Sequence, residues 1–295
     1  MRNYLKLTAA AVVLVAGMGA ADAQTNKKAP TASASTSSPA RLGGKPNLNG
    51  IWQVLPGANY NLEPHDAQNS PVASRTLGAI AATPGSLGVV EGGTIPYKAD
   101  AVGLRDENRK AGAQKDPEAA CYLPGIPRAS YMDHPFQIIQ GDNGDMLIAY
   151  EYASANRTIH MKPVEVPPID TWMGTSFGAW EGDTLKVVTL GLSPGDVKGP
   201  AGEMYPGVTW LDRSGNYVTN TATITERFKP EGPDLLMYEV TVDDPTIYSK
   251  PWKFSMPIYR HKEKNAQLMD FRCVPFAEEL LYGDLLADKD KYPKK

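Results

Sequence analysis

The chain has 295 residues, an apolar share of 42% and a formal net charge of −3 at pH 7. That apolar share is ordinary for a globular protein and allows a sizeable core. Lys and Arg are scattered rather than clustered, so no segment would neutralise a row of phosphates or hold an anionic membrane surface, and nucleic acid is excluded as a partner.

Residues 1–23 read as a secretory signal peptide. Arg2 and Lys6 supply a cationic start, residues 7–20 are an apolar run, and Ala21-Asp22-Ala23 offers a small-x-small cleavage site with the cut after Ala23. The run is too short to span a bilayer and no second one follows, so no integral membrane segment is expected. The sequence therefore predicts a periplasmic or secreted protein. About 270 residues remain after cleavage, enough for one large β-domain or two small domains. Residues 24–47 are rich in Ser, Thr, Ala, Lys and Pro and read as a disordered leader. A single β-rich domain is expected over residues 48–287, with residues 288–295 as a charged tail.

The first strand is expected at residues 48–54, with Trp52 buried. Residues 55–93 carry Gly, Pro, Ala and Asn without periodicity, which makes them a long irregular loop and a candidate lid or wrapping segment. Residues 98–114 are charged and rich in helix formers, predicting a largely exposed helix ended by the Asp116-Pro117 step. Strands at 134–140 and 145–152 flank the turn-rich Gly141-Asp142-Asn143-Gly144. Another strand covers 156–161. Strands at 177–180 and 184–190 flank Glu181-Gly182-Asp183, where Gly182 is free to take a positive φ. Further strands are expected at 219–228, 235–242, 252–260 and 267–273, with a turn at 230–234. Residues 276–286 place Phe276, Leu280 and Leu281 at helical spacing, predicting a C-terminal helix on the outside. Nine or ten strands joined mainly by short turns, without alternating strand–helix units, make a mainly β fold. The expected form is an antiparallel meander closed as a lipocalin-like, calycin-like barrel, which removes its edges. The alternative is a two-sheet sandwich.

Two cysteines, Cys121 and Cys273, remain for an oxidising compartment and are expected to form a disulfide. It would tie the segment before the first long strands to the last strand. Neither has a flanking His or a helix-start setting that would make its thiol a nucleophile.

A series of local motifs is spaced along the chain. They include residues 116–128 (DPEAACYLPGIPR), Pro135-Phe136-Gln137-Ile138, Tyr150-Glu151, Arg157-Thr158-Ile159 and Thr171-Trp172-Met173-Gly174. Residues 178–185 (GAWEGDTL), Thr225-Glu226-Arg227-Phe228, Asp244-Pro245 and Lys250-Pro251-Trp252 follow. Over residues 48–273 this set resembles an uncharacterised family of secreted proteins of Proteobacteria and Acidobacteria. The resemblance implies no activity. Such proteins usually carry a basic, His-containing turn after the Arg157 strand, where this chain has residues 162–168 (KPVEVPP).

Candidate chemistry centres on acids that share strand faces with apolar residues. Alternation places Glu226 with Ala222, Ile224 and Phe228, and Glu151 with Leu147 and Ala149. A carboxylate inside a barrel must be paired, hydrogen-bonded or protonated, and Arg157 is close enough to pair. The result is either a structural Glu–Arg pair or a site. In the second reading Glu226 and Glu151 are acid or base, His160 assists, and Arg157 holds an anionic group. Trp172, Tyr150 and Trp252 would then supply pocket contacts, although core filling is the competing role for aromatics. His134 also opens a strand, whereas His65 and His261 read as surface residues. No HxH, HExxH or CxxC spacing is present, so no metal site is expected. No glycine pattern for NAD, FAD or ATP occurs, so no cofactor is expected. Gly174-Thr175-Ser176-Phe177-Gly178 looks superficially like a nucleophile elbow, but it enters a hairpin rather than a helix, so its glycines read as a bend or bulge. The sequence thus predicts an exported, cofactor-independent enzyme acting by acid–base hydrolysis, elimination or isomerisation on a small organic molecule held in a β-barrel cavity. The alternative is a non-catalytic periplasmic binding protein for an amphipathic or aromatic ligand.

Overall fold

The computed structural model describes residues 39–282 apart from 56, 69–81, 143, 194 and 206. The expected signal peptide, residues 24–38 of the leader and the charged tail lie outside the described residues. The end of the leader departs from the expected disorder. There β1 (Arg41–Leu42) and β2 (Lys45–Pro46) form a small antiparallel hairpin around Gly43 and Gly44. Arg41 anchors it by donating to both Asp183 carboxylate oxygens at 2.8 and 3.2 Å.

Nine strands then close a barrel. In chain order they begin with β3 (Gly50–Val54), β4 (Phe136–Ile139), β5 (Met146–Tyr150) and β6 (Asn156–His160). They continue with β7 (Thr175–Glu181) and β8 (Thr184–Leu190). Two small hairpins follow: β9 (Val197–Lys198) with β10 (Met204–Tyr205), and β11 (Thr209–Trp210) with β12 (Tyr217–Val218). The ring is completed by β13 (Thr223–Pro230), β14 (Leu235–Asp243) and β15 (Trp252–Arg260), and β15 pairs back onto β3.

Neighbours around the ring follow chain order, so the expected meander and closure hold and the sandwich does not. The expectation that every pair is antiparallel needs correction. A closed ring of strictly alternating strands requires an even number, and nine leave one step where neighbours run the same way. That step is β6–β7, a parallel pair registered only at Ile159↔Ser176 and His160↔Phe177. Residues 161–174 carry the chain back between the two strands. Gly178 seals the seam, because a Cβ there would meet Met161 Sδ at 2.5 Å and Ile159 Cγ2 at 2.6 Å. The adjoining β7–β8 hairpin turns on Gly182 (φ 64°) as expected.

Period-two alternation builds the interior. Leu185 and Val187, Ile224 and Phe228, Leu236 and Tyr238, and Phe254 and Ile258 are all buried in the core. Trp52 is buried too, its indole donating to the Leu48 carbonyl at 2.9 Å. The described part of residues 55–93 is irregular, with isolated bridges such as His65↔Ser86, yet Leu62 and Val90 sit in the core, so this segment wraps the barrel. The expected helix at 98–114 is shorter: α1 (Val102–Ala111) passes into a 3-10 turn at Gly112.

The expected strand at 267–273 is absent. The closing β15–β3 pair leaves no free sheet edge for a tenth strand to join. The segment instead lies as a strap, with Met269 N donating to Glu151 Oε2 at 2.8 Å and Phe271 packed edge-on to His134. The disulfide forms as expected between Cys121 and Cys273, and it joins this strap, not the last strand, to the segment ahead of β4. The C-terminal helix α2 (Ala277–Tyr282) follows, with Leu280 and Leu281 exposed. No helix among the described residues is long and apolar enough to cross a membrane.

Candidate functional site

Inside the barrel, β13 points Glu226 inward between Ile224 and Phe228, and β6 points Arg157 inward beside Ile159. The two meet end-on. Arg157 Nη1 donates to Glu226 Oε2 at 2.6 Å and Nη2 to Oε1 at 3.0 Å. Tyr238, the inward residue of β14, donates its hydroxyl to Glu226 Oε1 at 2.7 Å. Tyr150 closes the group from β5, its hydroxyl 3.4 Å from Ser130 Oγ. Burial raises the Tyr238 and Tyr150 hydroxyls above the ordinary phenol range, keeping them as neutral donors. Burial pulls the Arg157 guanidinium down, but the Glu226 carboxylate overcomes it and holds the group above its ordinary range. Three donors hold both oxygens of Glu226, in an ion pair short enough to be charge-assisted.

A second buried network stands on the 3-10 turn Arg128–Tyr131. Arg128 donates to Asp116 at 2.7 and 2.9 Å, to Glu118 at 2.6 Å and to Asn59 at 2.8 Å. Arg213 holds the other face of Glu118 at 2.6 and 2.9 Å. Nearby, Asp212 accepts from Leu62 N, Ser214 N, Asn216 N and Asn216 Nδ2.

Two acids of this region, Glu118 and Asp212, respond to pH in opposite senses. Burial pushes the Glu118 carboxyl up, but Arg128, Arg213 and Asn59 overcome this and hold it at about 2, below its ordinary 4.5. Burial pushes Asp212 up from 3.8 to about 6. A depressed carboxyl stabilises the fold above its ordinary value and loses that contribution as pH falls. A raised one stabilises below its ordinary value and loses that as pH rises through its folded value. Together they favour folding most at around pH 4. Urea denaturation across pH checks this: Glu118→Gln should flatten the acid limb and Asp212→Asn the fall between 3.8 and about 6. An unchanged neutral limb in Asp212→Asn contradicts it.

The parallel seam opens a cleft of about 450 Å³ where β6 runs beyond the start of β7 and residues 161–174 cross over. Arg157 and Ser176, both buried, belong to its floor. Asn156, Thr158, His160, Glu165, Thr171 and Thr175 add polar groups, and Val164, Pro167 and Met173 add apolar surface. Gly174 (φ 64°) leads into β7 at this point, and a Cβ there would meet the Leu190 carbonyl oxygen at 2.6 Å. The bend expected from the glycines of 174–178 is therefore real at Gly174, while Gly178 serves close packing.

No family model, curated protein or solved structure matches this chain. The site is therefore read from its own geometry.

The candidate residues fall into separate places. Arg157, Glu226 and Tyr150 come together. Glu151 does not join them: Met146, Ile148 and Tyr150 face inward, so Leu147, Ala149 and Glu151 belong to the other face. Glu151 instead pairs with His134 at 3.2 Å and holds the C-terminal strap. His160 lines the cleft but pairs at 2.9 Å with the exposed Asp145. Trp172 stacks on Tyr122 at 5.1 Å, and Trp252 packs edge-on against Tyr248 at 5.5 Å. Among the described residues no group of His, Cys, Asp and Glu is placed to hold a metal ion. Sequence reasoning missed Tyr238, Arg128 and the threonines of the crossover. A signal existed for the first two: Tyr238 shares inward parity with Leu236 and Val240, and Arg128 interrupts the small and apolar run 125–132.

Proposed function

We propose that this is an exported, non-catalytic binding protein whose ligand, a small hydrogen-bonding organic molecule, sits in the cleft at the β6–β7 seam. The observation that carries the reading is the cleft itself. Its volume of about 450 Å³ falls within the roughly 300–1,000 Å³ of small-molecule sites, and it mixes hydroxyl and amide groups with Val164, Pro167 and Met173. The expected catalytic groups favour binding over chemistry, because each is committed elsewhere. Glu226 is locked to Arg157 and Tyr238, Glu151 to His134 and the strap, and His160 to Asp145. Export accords with the signal-like residues 1–23, and the disulfide belongs to an oxidising compartment such as the periplasm.

Val164 is exposed at the cleft and offers a clean test. Mass spectrometry of natively purified protein should find a small molecule with the wild type, and none with Val164→Trp at unchanged melting temperature. A wild type that carries nothing, and whose melting temperature no member of a metabolite library raises, contradicts the reading.

A further inference from the structure

His160 uses one of its two ring nitrogens. Nδ1 pairs at 2.9 Å with Asp145 Oδ2, whereas Nε2 is not buried and makes no hydrogen bond among the described residues. Asp145 immediately precedes β5, and the two nitrogens of an imidazole point in nearly opposite directions. Nδ1 therefore turns toward β5, and Nε2 toward β7 and the seam. The side chain is 28% exposed, and its residue lines the cleft. Met161 N donates to the other Asp145 oxygen at 2.8 Å, and with His160 it holds this carboxyl below its ordinary range. An ionised carboxylate only accepts, so a neutral imidazole carries its proton on Nδ1 and presents a lone pair at Nε2. We infer that the cleft ligand is a primary amine, whose ammonium donates a hydrogen bond to His160 Nε2.

The other accessible groups of the cleft select the same charge. Glu165 faces it from the crossover, exposed and able only to accept. Thr158 shares the outer face of β6 with His160, and Thr175 lines the cleft from β7. Arg157 lies on the inner face of β6, buried and already neutralised by Glu226, so it offers an anion nothing. This departs from the expectation that Arg157 holds an anionic group. Lys162 lies near Asp145 and is not among the described residues that line the cleft. A carboxylate or phosphate would thus meet Glu165 and the Asp145 charge behind His160 with no lining cation to offset them. An ammonium brings three donors and no acceptor, which suits Nε2, Glu165 and the threonine hydroxyls. Asp145 is a positioning residue: it fixes the ring and its tautomer before the ligand arrives. Val164, Pro167 and Met173 give apolar surface for the carbon body of the amine.

This inference rests on the cleft being a ligand site, and the experiment separates the two. Butylammonium, butanol and butyrate share a carbon chain and differ in charge. Each is titrated into the uniformly ¹⁵N-labelled full chain at pH 7. The His160 Nε2 resonance and the backbone amides of Thr158 and Thr175 are followed. Butylammonium should move all three, with butanol about tenfold weaker and butyrate leaving Nε2 unmoved. His160→Phe keeps a ring but removes the acceptor, and the Thr175 response to butylammonium should weaken about tenfold. Should that variant unfold, the wild-type Nε2 shift and a roughly threefold weakening in Glu165→Gln, at an exposed position, decide instead. An unchanged response in folded His160→Phe overturns the amine assignment. Butanol or butyrate matching butylammonium, or amide shifts without any Nε2 shift, also overturns it while leaving a cleft that binds. No response from any probe overturns the assignment, and the Val164→Trp comparison reports on the cleft reading independently.

Discussion

Glu226→Ala should lose about 3–5 kcal/mol of unfolding free energy, measured by urea denaturation. The size follows from what is left behind. Glu226 is fully buried and Arg157 is 4% exposed, so removing the carboxylate strands a guanidinium with no anion and no water. The Tyr238 hydroxyl loses its acceptor in the same step. Glu226→Gln should also be costly, because its amide would turn a donor toward one Arg157 nitrogen. The joint replacement Arg157→Leu with Glu226→Leu should recover most of the loss, since apolar substitutes for a buried pair are often neutral or stabilising. A double-mutant cycle built on these variants isolates the pair from its packing. A loss below about 1 kcal/mol for Glu226→Ala would mean that water reaches the pair, as at surface ion pairs.

How far the sequence foretold this arrangement depends on what periodicity encodes. Alternation in β13 placed Glu226 inward because Ile224 and Phe228 flank it and charged neighbours mark the other face. Arg157 was named for its closeness in the chain to the Glu151 strand, not for alternation. In β5 the pattern is apolar on both faces, MLIAY, so nothing marked which set faced inward, and Glu151 was assigned to the wrong side. Periodicity also says nothing about strand direction. The parallel step follows from the odd strand count, which becomes known only when residues 267–273 prove to be a strap. The cleft depends on that step, so it was out of reach of local pattern reading. Its threonines look like ordinary surface residues until the crossover places them side by side.

Arg128→Met should be as damaging as the loss of Glu226, about 3–5 kcal/mol at neutral pH, but its deficit should depend on pH. Arg128 is fully buried and satisfies Asp116, Glu118 and Asn59 together from a single guanidinium. Without it, Asp116 keeps no cation partner among the described residues, and Glu118 keeps only Arg213, whose side chain is 42% exposed. The Glu118 carboxyl would then rise from about 2, because the largest of the effects that offset burial is gone. A higher folded value weakens the acid-side linkage: the variant gains stability relative to wild type as pH falls and the carboxyl takes up a proton. The gap between the two proteins should therefore be widest at pH 7 and narrow as pH falls toward about 2, the folded value of this group in the wild type. Arg128→Lys should fall between them, since an ammonium supplies charge without the planar fork that reaches Asp116 and Asn59 simultaneously. A deficit of constant size across this range would place the damage in lost packing rather than unpaired charge. The 3-10 turn would then be held by its buried Tyr131, which donates to the Leu211 carbonyl at 2.7 Å, and not by the ion network around Arg128.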